Sequence, residues 1–220
     1  MKVIKKTIRA PLRLLGFKIV RLTPSVRTHE LPTRAPELSA RQVSECRVFL
    51  SREAWLTTIP KGSTIAEIGV ANGDFSEAIL RLSNPDRLYL VDAWHTSRFA
   101  PGFERVSSRF VEDIKSGRIE IRRAYSTDAL RMLAPGSLDM AYIDTTHSYA
   151  LTAEELALCE PLIKPHGRIA GHDYCEGNAV TGTPYGVIQA VHEFCLARNW
   201  IFDALSLSPD GHLSFSLRRG

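Results

Sequence analysis

From Thr64 onward the chain alternates short apolar runs with segments of helical periodicity. An apolar run of about 4–8 residues bounded by turn residues reads as a strand buried on both faces. Repeated alternation of such runs with helices restricts the chain to a parallel sheet covered on each side. The runs place strands at 64–69, 87–92, 118–122, 138–143, 167–171, 201–206 and 213–217, with helices at 74–82, 126–133, 150–163 and 185–198. Ser208-Pro209-Asp210-Gly211 is a turn, so the last two strands are expected to pair antiparallel at one sheet edge. The expected fold class is α/β: a doubly wound, mostly parallel seven-stranded sheet with an antiparallel C-terminal hairpin, preceded by N-terminal helices.

Two regions are expected. Residues 39–220 suit one domain, entered by a helix with Ser39 and Gln42 at capping-box spacing ahead of Val43, Val48, Phe49 and Leu50. Residues 1–38 read as a basic amphipathic head and a proline-rich linker. In the head, Ile4, Ile8, Leu12, Leu15, Ile19 and Leu22 fall on one helical arc. Such a helix can lie on an anionic membrane, dock on a partner through residues 1–22, or pack on its own body or on a second subunit in a homo-oligomer.

The net charge is +4, but residues 1–29 hold eight Lys or Arg and no acid, leaving 20 basic against 24 acidic groups beyond them. With no basic stripe in the globular part, no nucleic-acid partner is expected. Lys18 interrupts the apolar stretch of the head, no small-residue cleavage site follows, and no run is long enough to span a bilayer. The expected location is cytoplasmic, with peripheral contact at the inner face of the membrane through the head. Cys46, Cys159, Cys175 and Cys195 are scattered and expected to be reduced.

The first strand runs through Ile65-Ala66-Glu67-Ile68 into Gly69-Val70-Ala71-Asn72-Gly73. Glycines there let a ligand approach the backbone at the strand's carboxyl end, but their spacing names no ligand. Glu67 ends the first strand and Asp92 the second, where a carboxylate can accept hydrogen bonds from ribose hydroxyls. With these acids the chain resembles the class I S-adenosylmethionine-dependent methyltransferases and their Rossmann-like fold. The resemblance implies that Gly69 and Gly73 face the amino-acid part of the cofactor, Glu67 orients it and Asp92 holds the ribose. Trp94 would lie against the adenine, and Ser126 and Asp128 occupy the usual place of adenine contacts, although Ser126 is equally placed to cap a helix.

At the other end of the sheet, strand 138–143 leads into Asp144 and His147, and the next strand leads into His172 and Asp173. Carboxylates gathered at one edge repel unless a cation or protons intervene. A hard divalent ion such as Mg²⁺ suits Asp144 and Asp173, with His172 either a third ligand or a hydrogen-bonding neighbour. His147, with an ordinary pKa of ~6.5, is the general-base candidate. Ile143-Asp144-x-x-His147-Ser148-Tyr149 and Gly171-His172-Asp173-Tyr174 resemble the family of bacterial sugar and macrolide O-methyltransferases and cephalosporin hydroxylase-like proteins. This implies a metal on Asp144 and Asp173, His147 as base, and a small-molecule or glycan hydroxyl as acceptor. Many of those proteins carry an acid directly before the histidine, where this chain has Thr146.

The glycine-rich stretch 175–184 is expected to wall or cover the acceptor site, with Glu176 or Asn178 completing the coordination. His95, His166, His192 and His212 receive no role from the sequence. The rival readings are a metal-dependent hydroxylase or nicotinamide oxidoreductase, and a non-catalytic scaffold.

Overall fold

The computed structural model describes residues 34–178, 180–209 and 211–220. In chain order the elements are α1 (Ala40–Val43), β1 (Arg47–Phe49), α2 (Arg52–Leu56), β2 (Thr64–Ile68), α3 (Asp74–Ser83), β3 (Arg87–Asp92), α4 (Ala100–Arg109), α5 (Val111–Lys115), β4 (Ile119–Arg123) and α6 (Ser126–Arg131). They continue with β5 (Leu138–Ile143), α7 (Tyr149–Cys159), a 3₁₀ turn (Glu160–Leu162), β6 (Ile163–Gly171), β7 (Gly177–Asn178), β8 (Thr183–Pro184), α8 (Val187–Arg198), β9 (Trp200–Ser206) and β10 (Ser214–Arg219). Of the expected head and linker at residues 1–38, residues 1–33, which include the whole amphipathic arc, lie outside the described residues.

Eight strands form one sheet in the order β1-β9-β10-β6-β5-β2-β3-β4, and β7 pairs with β8 in a separate small hairpin. Within the large sheet only β10 runs antiparallel to its neighbours, β6 and β9. Alternate side chains along each strand feed two cores. Ala66, Ile68, Ala141, Ile143, Ile169 and Phe202 pack with Leu130, Leu156, Val191 and Phe194 of α6, α7 and α8. Ile65, Met140, Tyr142, Ala170 and Ala204 pack on the other face with Leu56, Ile79 and Val106 of α2, α3 and α4. This is the period-two division expected of strands buried on both sides.

The chain moves outward from β2 through β3 to β4, then returns to place β5 on the other flank of β2. The order therefore reverses between β2 and β5, which opens a crevice at their carboxyl ends.

Two expectations are corrected. The sheet has eight strands rather than seven, because the entry helix stops at Val43 with its capping box formed, and Arg47–Phe49 pairs parallel with Ala204–Ser206. Val48 and Phe49 favour extended backbone, and β9 would otherwise expose a row of unpaired amides. The C-terminal hairpin consequently does not form an edge: β10 lies inside the sheet and β1 covers β9. Helices α2, α4 and α5 were not anticipated. Pro101 lies in the first turn of α4, where its missing amide costs little. A Cβ on Gly102 would lie 2.1 Å from the Ala71 carbonyl oxygen, so glycine lets α4 press against the turn after β2.

Candidate cofactor cleft and acid–histidine cluster

The turn after β2 is built for close approach. Gly69 has φ +93°, and a Cβ there would stand 1.9 Å from the carbonyl oxygen of Asp144, while the Asp144 amide donates to the Ile68 carbonyl at 2.7 Å. The glycine thus joins β2 to the end of β5 at the switch point and borders the adjoining cleft. Gly73 also has positive φ, but its missing side chain leaves room for Phe110 and Val106, and it does not line the cleft.

Asp92 holds the turn from the side. Its Oδ2 accepts from the amides of Val70 and Ala71, each at 3.0 Å, and its Oδ1 accepts from the Trp94 amide at 2.8 Å. Trp94, expected against an adenine, lies in the core instead. With φ +44° it turns away from the cleft, 1% exposed, donating from Nε1 to the Ala71 carbonyl and packing edge-on to Phe103. Its neighbour His95 faces the cleft in its place, 5.2 Å from the Tyr125 ring.

Gly69, Asp92, His95, Phe99, Tyr125 and Ser126 line the cleft, with Asp144, Thr145, Thr146 and Leu151 along the β5 side. Ser126, at the start of α6, is one of these lining residues. Asp128 is one helical step away, exposed and paired with Arg131 at 3.6 Å. Glu67 is fully buried beneath the cleft, where Oε2 accepts from the Ser76 hydroxyl of α3. Burial pushes its carboxyl up to about 8, Asp144 and Asp92 add to that, and the Ser76 hydroxyl and Arg52 oppose it. A carboxyl so placed fastens α3 to β2 rather than touching a ligand in the cleft. Glu155 does similar work on the other side. It accepts from Thr145 at 2.9 Å and interacts with Ser126, and its burial raises the carboxyl to about 7.

Asp144 borders both the cleft and a cluster of acids and histidines. His147 Nε2 lies 2.7 Å from Asp173 Oδ2 and 3.3 Å from Asp144 Oδ1. These three side chains can present ligand atoms within 4.8 Å of one another. His172, expected as a possible ligand, stands outside that set, its Nδ1 3.5 Å from Asp173 Oδ2 and 4.0 Å from Asp144 Oδ2. Burial would lower the pKa of His147, but hydrogen bonds and charge from the two carboxylates outweigh it and raise it to about 9. Burial would raise Asp173, but hydrogen bonds from His147 and His172 prevail and hold it far below the ordinary carboxylate range. The two acids thus favour the imidazolium form of His147, and the ordinary histidine pKa assumed from sequence does not apply. Arg52 of α2 adds a second cation, 3.8 Å from Asp144 Oδ2 and 4.2 Å above the Phe75 ring. Nothing in the sequence near Asp144 pointed to it.

Among the described residues, six that are not glycine have positive φ: Ala71, Asn84, Trp94, His147, Asp173 and Asn199. Asn84 and Asn199 are helix C-caps, a common use of that conformation. The other four all lie at the carboxyl edge of the sheet, around the cleft and the cluster. Unfavourable backbone concentrated in this way is characteristic of functional sites.

The segment after Asp173 folds as the β7–β8 hairpin rather than as an open loop. Asn178 is used within it, its Oδ1 accepting from the amides of Val180 and Thr181. Tyr185, just beyond, packs 4.6 Å from the His147 ring. Tyr174 packs against Phe202 and Phe215 and hydrogen-bonds His192.

Residues 66–174, a little under half of the chain, match the family model described as a methyltransferase domain. No curated protein sequence matches the chain. Among solved structures, an rRNA methylase from Streptococcus thermophilus superposes with TM-score 0.55 at 14% identity, over 76% of this chain and 93% of that one. The B. subtilis m1A22 tRNA methyltransferase TrmK gives 0.54 at 15% identity, over 77% of this chain and 65% of that one. The methyltransferase CalH, in complex with S-adenosylhomocysteine, gives 0.55 at 14% identity, over 76% of this chain and 55% of that one. Residues 66–174 are thus similar to a methyltransferase domain, and the sheet that carries them has the Rossmann-like fold of solved methyltransferases.

Proposed function

We propose that this protein is an S-adenosylmethionine-dependent O-methyltransferase that methylates a hydroxyl of a sugar, glycolipid or other small metabolite, with a divalent cation at Asp144 and Asp173. One observation carries the reading: Asp144 borders both the cleft after β2 and the acid–histidine cluster, so a donor and an acceptor held in the two would meet at its carboxylate.

The residues present fit both groups. Gly69 and the Asp92-bound turn leave backbone open to a ligand, Ser126 and Thr145 offer hydroxyls, and Phe99, Tyr125 and Leu151 offer apolar wall, a mixture suited to a nucleoside. Asp144 and Asp173 offer oxygen ligands, and the imidazolium now between them marks where positive charge is favoured. The cofactor supplies the methyl group on a sulfonium, and the cation supplies Lewis acidity that makes a nearby hydroxyl easier to ionise.

The remaining work belongs to the chain. Asp92 keeps the Val70–Ala71 turn in place, and Glu155 keeps Thr145 in place, so the donor side is ordered before a ligand arrives. Asp144 and Asp173 favour the protonated form of His147, so a cation held by the two carboxylates would offset the charge that keeps the proton there, and the imidazole freed of it would accept the acceptor's proton. Tyr185 closes over His147 and limits its exposure to water. A set of two carboxylates and one imidazole does not favour the rival hydroxylase, which requires two histidines and one carboxylate.

The test is methyl transfer from labelled S-adenosylmethionine to a panel of glycosides and small hydroxyl compounds, with and without a chelator. Transfer that needs the cation and disappears in Asp144→Asn supports the reading. Transfer to RNA alone, or label incorporation unaffected by Asp144→Asn, overturns it.

A further inference from the structure

Asp173 has two carboxylate oxygens that face different partners. Oδ2 meets His147, whereas Oδ1 meets His212 Nδ1, which arrives from the loop between β9 and β10. Cys175, two residues after Asp173, places its Sγ 3.7 Å from the same His212 nitrogen. Cys175, His212 and Asp173 can thus bring a sulfur, a nitrogen and an oxygen within 4.8 Å of one another. None of this depends on methyl transfer.

We propose that Asp173, Cys175 and His212 form a second metal site, for a borderline transition ion of the Zn²⁺ class, that shares the Asp173 carboxylate with the Asp144–His147 cluster. The geometry argues against a nucleophilic relay. In a Cys–His–Asp relay the thiol and the carboxylate meet opposite nitrogens of the imidazole, so that a proton can pass through the ring. Here both meet Nδ1, so the three atoms converge on one point instead of forming a chain. Zinc bonds of ~2.3 Å to sulfur and ~2.0–2.1 Å to nitrogen at a tetrahedral angle separate the two ligand atoms by about 3.5 Å. The observed 3.7 Å needs little adjustment. The direct His212–Asp173 hydrogen bond would open to admit the ion.

The ligand chemistry separates the two sites. Carboxylates suit a hard ion at Asp144, whereas thiolate and imidazole select a softer one at Cys175. Cys175 would bind as thiolate, releasing its proton to solvent, so affinity rises with pH. Once bound, the ion would tie the β9–β10 loop to the segment after β6 and hold Asp173 in its left-handed conformation, with Oδ2 aimed at His147.

Cobalt is the probe, because Co²⁺ occupies zinc sites and gives an intense near-ultraviolet charge-transfer band when bound to thiolate. The full chain, stripped of metal, is titrated with Co²⁺. We expect a thiolate band that saturates near one equivalent, disappears when Zn²⁺ is added, is absent in Cys175→Ser and His212→Ala, and persists in Asp144→Asn. Circular dichroism confirms that each variant is folded. Failure of the unaltered chain to give the band overturns the proposal without reference to any variant. A band that survives Cys175→Ser, or one that vanishes in folded Asp144→Asn, overturns it as well, since the ion then sits elsewhere.

Discussion

Replacing Glu67 by glutamine removes one ionisable group from a fully buried place and should flatten the pH dependence of stability. The folded carboxyl titrates at about 8, against 4.5 for the same group in ordinary surroundings. Between those values the folded protein holds a proton that the unfolded chain has released. Stability from this residue is therefore complete below pH 4.5 and falls as pH rises toward 8, by ~1.4 kcal/mol per unit. Over the whole interval the loss is on the order of 4–5 kcal/mol, comparable to the lower end of total domain stability at about 5–15 kcal/mol. Glutamine has the same shape, can still accept from the Ser76 hydroxyl, and does not ionise. Urea unfolding at pH 5, 6, 7 and 8 measures the effect. Glu155 and His147 also titrate across this range, but they are common to both proteins and cancel in the difference. The Glu67→Gln protein should gain on the parent steadily from pH 5 to pH 8. Parallel curves would refute the argument, because they would mean that the carboxyl is hydrated or that its charge is already balanced by Arg52.

Other outcomes follow from the same geometry. Gly69→Ala should unfold the protein or cost more than about 3 kcal/mol, since its Cβ meets the Asp144 carbonyl. Gly117→Ala, with similarly positive φ but nothing within 4 Å, should cost only about 1 kcal/mol in the same melts. Asp92→Asn should lower stability by about 1–3 kcal/mol and weaken S-adenosylhomocysteine binding in calorimetry, because an amide cannot accept from all three backbone amides with the strength of a carboxylate. Trp94→Phe should lower the melting temperature by removing the bond to Ala71, with little change in binding. His95→Ala should do the reverse, because His95 and not Trp94 borders the cleft.

The sheet was legible because its central strands are apolar on both faces. Runs such as Ile65–Ile68 and Leu138–Ile143 have no other use than burial between two layers of helices. The peripheral elements were not. β1 is three residues long, and Val48 and Phe49 carry no local sign that the edge of β9, 157 positions later, will pair with them. Proline and glycine concealed α4, since their roles there depend on the Ala71 carbonyl pressing against the helix.

For the site, the sequence located the residues better than it located their side chains. Asp92, Ser126, Asp144, His147 and Asp173 all reach the carboxyl edge. Trp94 and His95 exchange places because φ at Trp94 is positive, a backbone choice that residue identity does not reveal. Gly73 was read as room for a ligand, whereas it is room for Phe110. Arg52 and His212 come to the cluster from remote elements, so only the topology brings them to Asp144 and Asp173. Among the described residues no helix is long and apolar enough to cross a membrane.

The claim on which the account depends is that the crevice between β2 and β5 receives the methyl donor. Calorimetric titration of S-adenosylhomocysteine into the full chain, beside Leu151→Trp, in which a bulky ring fills the cleft wall, tests it most directly. The account predicts saturable one-to-one binding that is lost in the folded Leu151→Trp protein. No binding to the parent, or equal binding to both, would place the donor elsewhere or nowhere.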